Sequence, residues 1–208
     1  MNNKKIISLL VALMLSSCAS ETVNTKYYKL GSVDMNTDAE TKNGVNNREV
    51  KSNVAKRPLL LIEPILLADF LRQPGLVIQK ADHQLQISNV HRWAESLESA
   101  ALRVLRIQLE KRLPNYRIEN QNGRWKTPPK RRLSIELTQF QIDNNNNQVV
   151  STGTFWLFDE QRNLLIKKGF DIQQPLLKNG YAHAISKLEF SLLKLAEIIA
   201  KNSNNFEG

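Results

Sequence analysis

Leu133-Ser134-Ile135-Glu136-Leu137-Thr138 alternates apolar and polar side chains one residue at a time. A period of two puts Leu133, Ile135 and Leu137 on one face of a strand and Ser134, Glu136 and Thr138 on the other. Polar turns at Asp143 to Asn147 and Asp159 to Asn163 then separate this strand from Val149–Phe158 and Leu164–Ile172. Three strands joined by short polar turns predict an antiparallel meander. Thr154-Phe155-Trp156-Leu157-Phe158 carries bulk on both faces, which predicts a strand that is central or covered on both sides.

Outward from the meander, the period changes to that of a helix. From about Tyr181 to Lys201, Ile185, Leu188, Leu192, Leu195 and Ile199 recur at spacings of three and four, the signature of an amphipathic helix. Upstream, Leu97, Ala101, Val104, Leu105 and Leu109 share one face of a helix expected from about Ala94 to Arg112, stopped by Pro114. Tyr116-Arg117-Ile118 reads as a strand. So do Leu76-Val77-Ile78 and Leu85-Gln86-Ile87, a hairpin around Ala81-Asp82-His83 that follows the turn Gln73-Pro74-Gly75. Leu59-Leu60-Leu61-Ile62 does not alternate and is expected to be covered on both faces. Together these elements predict an α+β layered fold, a mixed and largely antiparallel sheet with two main helices packed on one face.

At the N-terminus, Lys4 and Lys5 precede the apolar run Ile6 to Leu15, too short to span a hydrocarbon core of about 30 Å as a helix. The run closes on Leu15-Ser16-Ser17-Cys18, which resembles the lipobox of bacterial lipoproteins, so residues 1–17 are expected to be a signal peptide. Cys18 is the expected lipidation site, with Leu15, Ser16 and Ser17 recognised by the signal peptidase. Each further acyl chain adds about 0.8 kcal/mol of membrane affinity per buried CH₂, so a multiply acylated cysteine anchors the chain without spanning the membrane. Ala19 and Ser20 follow where an inner-membrane lipoprotein typically carries aspartate, which favours the periplasmic side of the outer membrane. Cys18 is the single cysteine of the chain, so no disulfide is available and the fold relies on its core.

Removing the signal takes Lys+Arg from 29 to 27 against 20 Asp+Glu, a mature charge of +7. In an exported protein this charge points to anionic head groups or an acidic protein surface rather than nucleic acid. Part of it surrounds Pro128-Pro129, as Arg124, Lys126, Lys130, Arg131 and Arg132, and reads as a solvated loop. Residues 18–57 are expected to hold the lipidated N-terminus, the segment Tyr27-Tyr28-Lys29-Leu30 and a polar stretch; 58–203 the folded domain; 204–208 a tail. If Tyr27, Tyr28 and Leu30 join the sheet, Lys26 lies eight positions after Cys18, a link that spans at most about 29 Å. If everything to Arg57 is tether, a flexible coil gives a typical span of roughly 35 Å with far greater maximal reach.

No nucleophile elbow, zincin motif or phosphate loop occurs, and His83, His91 and His183 have no metal-ligand spacing, so neither an enzyme nor a cofactor is expected. Tyr27-Tyr28-Lys29-Leu30, Ile62-Glu63-Pro64 through Leu71 before a Gln-Pro-Gly turn, and Arg92-Trp93-Ala94-Glu95 occur in the order seen in the PqiC family of ABC-type transport auxiliary lipoproteins, which the chain resembles. Ser96 stands where that family usually has proline, and both residues suit the start of a helix. The resemblance implies a non-enzymatic outer-membrane docking component of an MCE-type lipid transport system. Its partners would be an MCE-domain protein and the outer-membrane lipid reached through Cys18, and it would be a ring-like homo-oligomer. Tyr27, Tyr28, Leu30, Arg92, Trp93 and Glu95 would then be structural or partner-facing. A monomeric adaptor for outer-membrane assembly or peptidoglycan binding is the alternative.

Overall fold

The computed structural model describes residues 24–31, 57–121, 123, 125 and 127–203. Cys18, the signal segment, most of the polar stretch and the tail lie outside the described residues. Nine strands of one mixed sheet are described: β1 (Lys26–Tyr28), β2 (Leu59–Ile62), β3 (Leu66–Leu67), β4 (Gly75–Ala81), β5 (Gln84–Trp93), β6 (Arg117–Asn120), β7 (Arg131–Asp143), β8 (Gln148–Phe158) and β9 (Leu164–Pro175). A 3-10 turn, Asp69–Arg72, follows β3, and the helices are α1 (Leu97–Arg112) and α2 (Tyr181–Ser203).

The meander forms as the alternation predicts. β7 pairs antiparallel with β8, Ile135 opposite Phe155, and β8 with β9. Buried Leu133, Ile135, Leu137, Phe155 and Leu157 face a core shared with both helices. The turn after β7 is set by Asp143, whose carboxylate accepts the backbone N–H of Asn145 at 3.0 Å and the Asn146 amide at 2.8 Å. Burial pushes this carboxyl up, but the hydrogen bonds from Asn146, Gln148 and Asn145 outweigh it and hold the group below the ordinary aspartate value.

β7 is the trunk of the sheet. On the side away from β8 it receives β2, β3 and β4 in succession, all parallel to it, and β6 lies parallel outside β2. Burial on both faces of β2 accounts for its unbroken apolar run, and all four of its residues are buried. The helices pack on one another and on the sheet, with Leu105, Leu109, Leu188, Leu192 and Leu195 fully buried between them.

One local expectation is corrected. The first helix, α1, starts at Leu97 rather than Ala94, and Arg92-Trp93 just before it ends β5. Ser96 is the N-cap, its hydroxyl accepting the Ser99 N–H, and this fixes the start. β8 is central, between β7 and β9, as expected, and its segment Thr154–Phe158 is covered on one face. Trp156 and Phe158 point to the opposite face, where with Leu66, Arg132 and Arg162 they line an open groove of about 460 Å³. The hairpin β4–β5 forms as expected but extends well beyond its apolar triplets, because the strands also pair through the polar residues near the turn.

Candidate functional site: the clasp on the N-terminal strand

Two of the motifs that carry the family resemblance, and the Gln-Pro-Gly turn that follows the third, are far apart in sequence and meet at one place; Ile62-Glu63 itself lies against β7. β1 adds to the sheet parallel to the end of β5, with Lys26 opposite His91, Tyr27 opposite Arg92 and Tyr28 opposite Trp93. Ala94 N–H donates to Tyr28 O at 2.7 Å, and Trp93 N–H donates to Pro74 O at 2.8 Å. Tyr-Tyr-Lys-Leu, Arg-Trp-Ala-Glu and Gln-Pro-Gly thus share one hydrogen-bonded junction. Gly75 is required there: a Cβ would sit 2.2 Å from the carbonyl oxygen of Ser88.

Side chains then lock the strand. Leu30 is buried in the main core, a contribution of about 1.5–3 kcal/mol for a fully buried leucine. Its carbonyl accepts Arg103 Nη2 at 3.1 Å, and the same guanidinium makes a fork to Glu95 at 2.6 and 2.7 Å. The hydrogen bond from Arg103 holds the Glu95 carboxyl below its ordinary range, against burial, which raises it. One residue on, Gly31 takes a positive φ of 87°, and its N–H donates to Glu189 Oε2 at 3.0 Å. Glu189 is a buried carboxylate on α2, so both helices hold the chain where it leaves β1.

The third lock is aromatic. The Tyr28 hydroxyl lies 2.8 Å from His91 Nδ1, and the imidazole stacks on Tyr181 with ring centroids 3.6 Å apart. Burial, with Lys26 nearby, lowers the pKa of His91, while burial and Tyr181 raise that of Tyr28. Both shifts favour neutral rings, the state in which the phenol donates to the imidazole.

Of the residues singled out from sequence, Tyr28, Leu30, Trp93 and Glu95 come together in this clasp, Trp93 buried beside Phe140. Tyr27 and Arg92 share the opposite, outward face. Adjacent strand residues point to opposite sides, so Arg92 does not lie over the Trp93 ring; it borders a shallow depression with Gln73, Pro74 and Gly75. Sequence reasoning missed Arg103, Glu189, His91 and Tyr181. Glu189 carried a readable signal, since it stands four residues after Ile185 on the apolar stripe of α2; the others carried none, because their partners are distant in the chain.

Among the described residues no group of three or more His, Cys, Asp and Glu could hold a metal ion, and no helix is long and apolar enough to cross a membrane. His91 is engaged with the Tyr28 hydroxyl, Glu95 with the Arg103 guanidinium and Glu189 with the Gly31 N–H, so all three groups fasten β1 to the body.

Residues 45–200 match the model of a family described as the ABC-type transport auxiliary lipoprotein component. The chain is 27% identical over 185 residues, 89% of each chain, to the intermembrane transport lipoprotein PqiC of Escherichia coli K12. Its fold matches a crystal structure of an uncharacterized protein with a TM-score of 0.68 at 22% identity, covering 86% of this chain and 98% of that one. A second crystal structure, of a Xanthomonas campestris protein, matches with a TM-score of 0.57 at 14% identity over 70% of this chain and 85% of that one. With three quarters of its length matched by that family's model, the chain belongs to the ABC-type transport auxiliary lipoprotein family.

Proposed function

We propose that this lipoprotein is acylated at Cys18, faces the periplasm from the outer membrane, and acts as a non-enzymatic docking component of an MCE-type ABC system that moves lipid between the two membranes. Its partners in this reading are an MCE-domain protein of the transport system and further copies of the chain itself. The observation that carries the reading is the clasped strand β1. Lys26 lies only eight positions after Cys18, so the start of β1 stays within about 29 Å of the anchor. A receiving component needs such a short mooring, because a body on a long flexible leash would lose much of the effective concentration that favours docking. The relative from E. coli is named an intermembrane transport lipoprotein, which supports the transport role. Ala19 and Ser20 after the cysteine support the outer membrane.

The test is affinity purification of the full chain from cross-linked membranes, combined with density separation of inner and outer membranes. The expected result is an MCE-domain protein in the eluate and the chain in the outer-membrane fraction. Sedimentation with purified cell wall and no MCE protein would favour a peptidoglycan-binding adaptor instead.

A further inference from the structure

We infer that the end of the sheet from which β1 enters is a membrane-contacting face that rests on the anionic head groups of the leaflet holding the anchor; the inference depends on acylation of Cys18. Strand directions define this end. β1 runs parallel to β5, so the chain arrives from the side where β5 begins, at the β4–β5 turn. β4 is parallel to β7 with Gln79 opposite Asp143, which puts the β7–β8 turn at the same end. Gln148 lies opposite Pro175, which adds the loop from β9 to α2. Tyr181, after that loop, stacks on His91, the partner of Lys26.

Exposed apolar residues collect here. Of the seven exposed large hydrophobics among the described residues, Leu177 at 78%, Tyr27 at 64%, Leu85 at 41% and Ile87 at 39% lie on this loop, on β1 and on the β4–β5 hairpin. Leu177 is the most exposed of all seven and sits beside Lys178. Lys80 and Lys178 are exposed at this end and Lys26 at the start of β1 that leads to it, against the carboxylates of Asp82 at the hairpin tip and of Asp143, which is buried in the β7–β8 turn. Isolated leucine and tyrosine tips among lysines match a bilayer interface, where the apolar part enters the head-group layer and the ammonium groups meet phosphate. Each lysine close to an anionic surface strengthens binding about fivefold. The eight-residue link to Cys18 selects the occupant: this end is the part of the body nearest the lipid, and its exposed cations complement an anionic leaflet. The opposite end, with the β8–β9 turn, is left facing the periplasm.

The test uses the acylated full chain in phosphatidylcholine vesicles with and without phosphatidylglycerol. Leu177→Cys, labelled with an environment-sensitive fluorophore, is compared with Gln161→Cys in the β8–β9 turn, using lipids that carry a quencher. Quenching at 177 should exceed that at 161 severalfold, should grow with phosphatidylglycerol, and should fall toward the level at 161 in Lys26→Glu/Lys178→Glu. Equal quenching at both sites would overturn the inference. So would shielding of position 177 that rises with protein concentration in lipid-free micelles, the mark of a second copy as occupant. Loss of the chain from the vesicle fraction would overturn the anchoring reading as well, so the two failures are distinguishable.

Discussion

The meander and the N-terminal strand belong to one sheet and are held by opposite means. β7, β8 and β9 are eleven to thirteen residues long, joined by tight polar turns, and each residue finds its partner nearby in sequence. β1 has three residues, and its partner lies more than sixty positions away. Ordering each residue costs about 1–2 kcal/mol of backbone entropy, which a three-residue ladder does not recover by itself. The strand is therefore supplemented by Leu30 in the core, Arg103 and Glu189 on the backbone, and the Tyr28–His91–Tyr181 stack. A long antiparallel unit carries its own stability; a short parallel strand borrows it from side chains on three other elements.

The contrast is sharpest in the response to truncation. Phe155→Ala removes a fully buried ring from the middle of the meander and should lower global stability by about 3–5 kcal/mol, read as a shifted midpoint in urea unfolding. Leu30→Ala should cost about 2 kcal/mol, near the lower end of such truncations, because β1 can detach while the meander stays folded. Its mark is fast amide exchange at Ala94 with β7–β9 still protected; equal loss of protection in both regions would erase the distinction drawn here. Arg103→Ala should cost less, about 1 kcal/mol or below, since the ion pair with Glu95 is a third exposed and screened by salt. The loss should shrink at high ionic strength in thermal unfolding.

The smallest effect is that of pH on the aromatic lock. His91 has a folded-state pKa below 6.5, so the unfolded chain takes up the proton first. Its contribution is complete above about pH 6.5 and is lost as pH falls below that value. Glu95 also has a lowered pKa, and its contribution persists above the ordinary value of 4.5 and is lost only below it. Between pH 7 and 5 the wild-type chain should lose more stability than His91→Phe, measured as the difference in melting temperature between the two pH values. Identical slopes would remove His91 from the clasp.

The same contrast governs what could be read in advance. Alternation from Leu133 to Thr138 and the three-and-four spacing from Ile185 to Ile199 are local patterns, and the meander and α2 form where those patterns lie. Leu59 to Ile62 announced burial on both faces, although nothing in it named β6 and β7 as parallel neighbours. The two-residue strand Leu66–Leu67 is too short to show a period. Ala94 and Glu95 read as helix because nothing local distinguishes them from a first turn; Pro74 O and Tyr28 O capture the N–H groups of Trp93 and Ala94 and keep the helix from starting there. In the candidate site, the resemblance supplied Tyr28, Leu30, Trp93 and Glu95. It could not supply Arg103, His91 or Tyr181, whose meaning exists only once strand β1 lies beside β5.

The central claim is that β1 is fastened to the body and shortens the leash to Cys18. Amide hydrogen exchange on the acylated full chain at neutral pH addresses it directly, at Gly31, whose N–H is held by Glu189, and at Ala94, whose N–H is held by Tyr28 O. Protection at both positions approaching that of β7 and β8 is the predicted result. Exchange at the rate of an unstructured peptide at both positions, beside a protected meander, would contradict it.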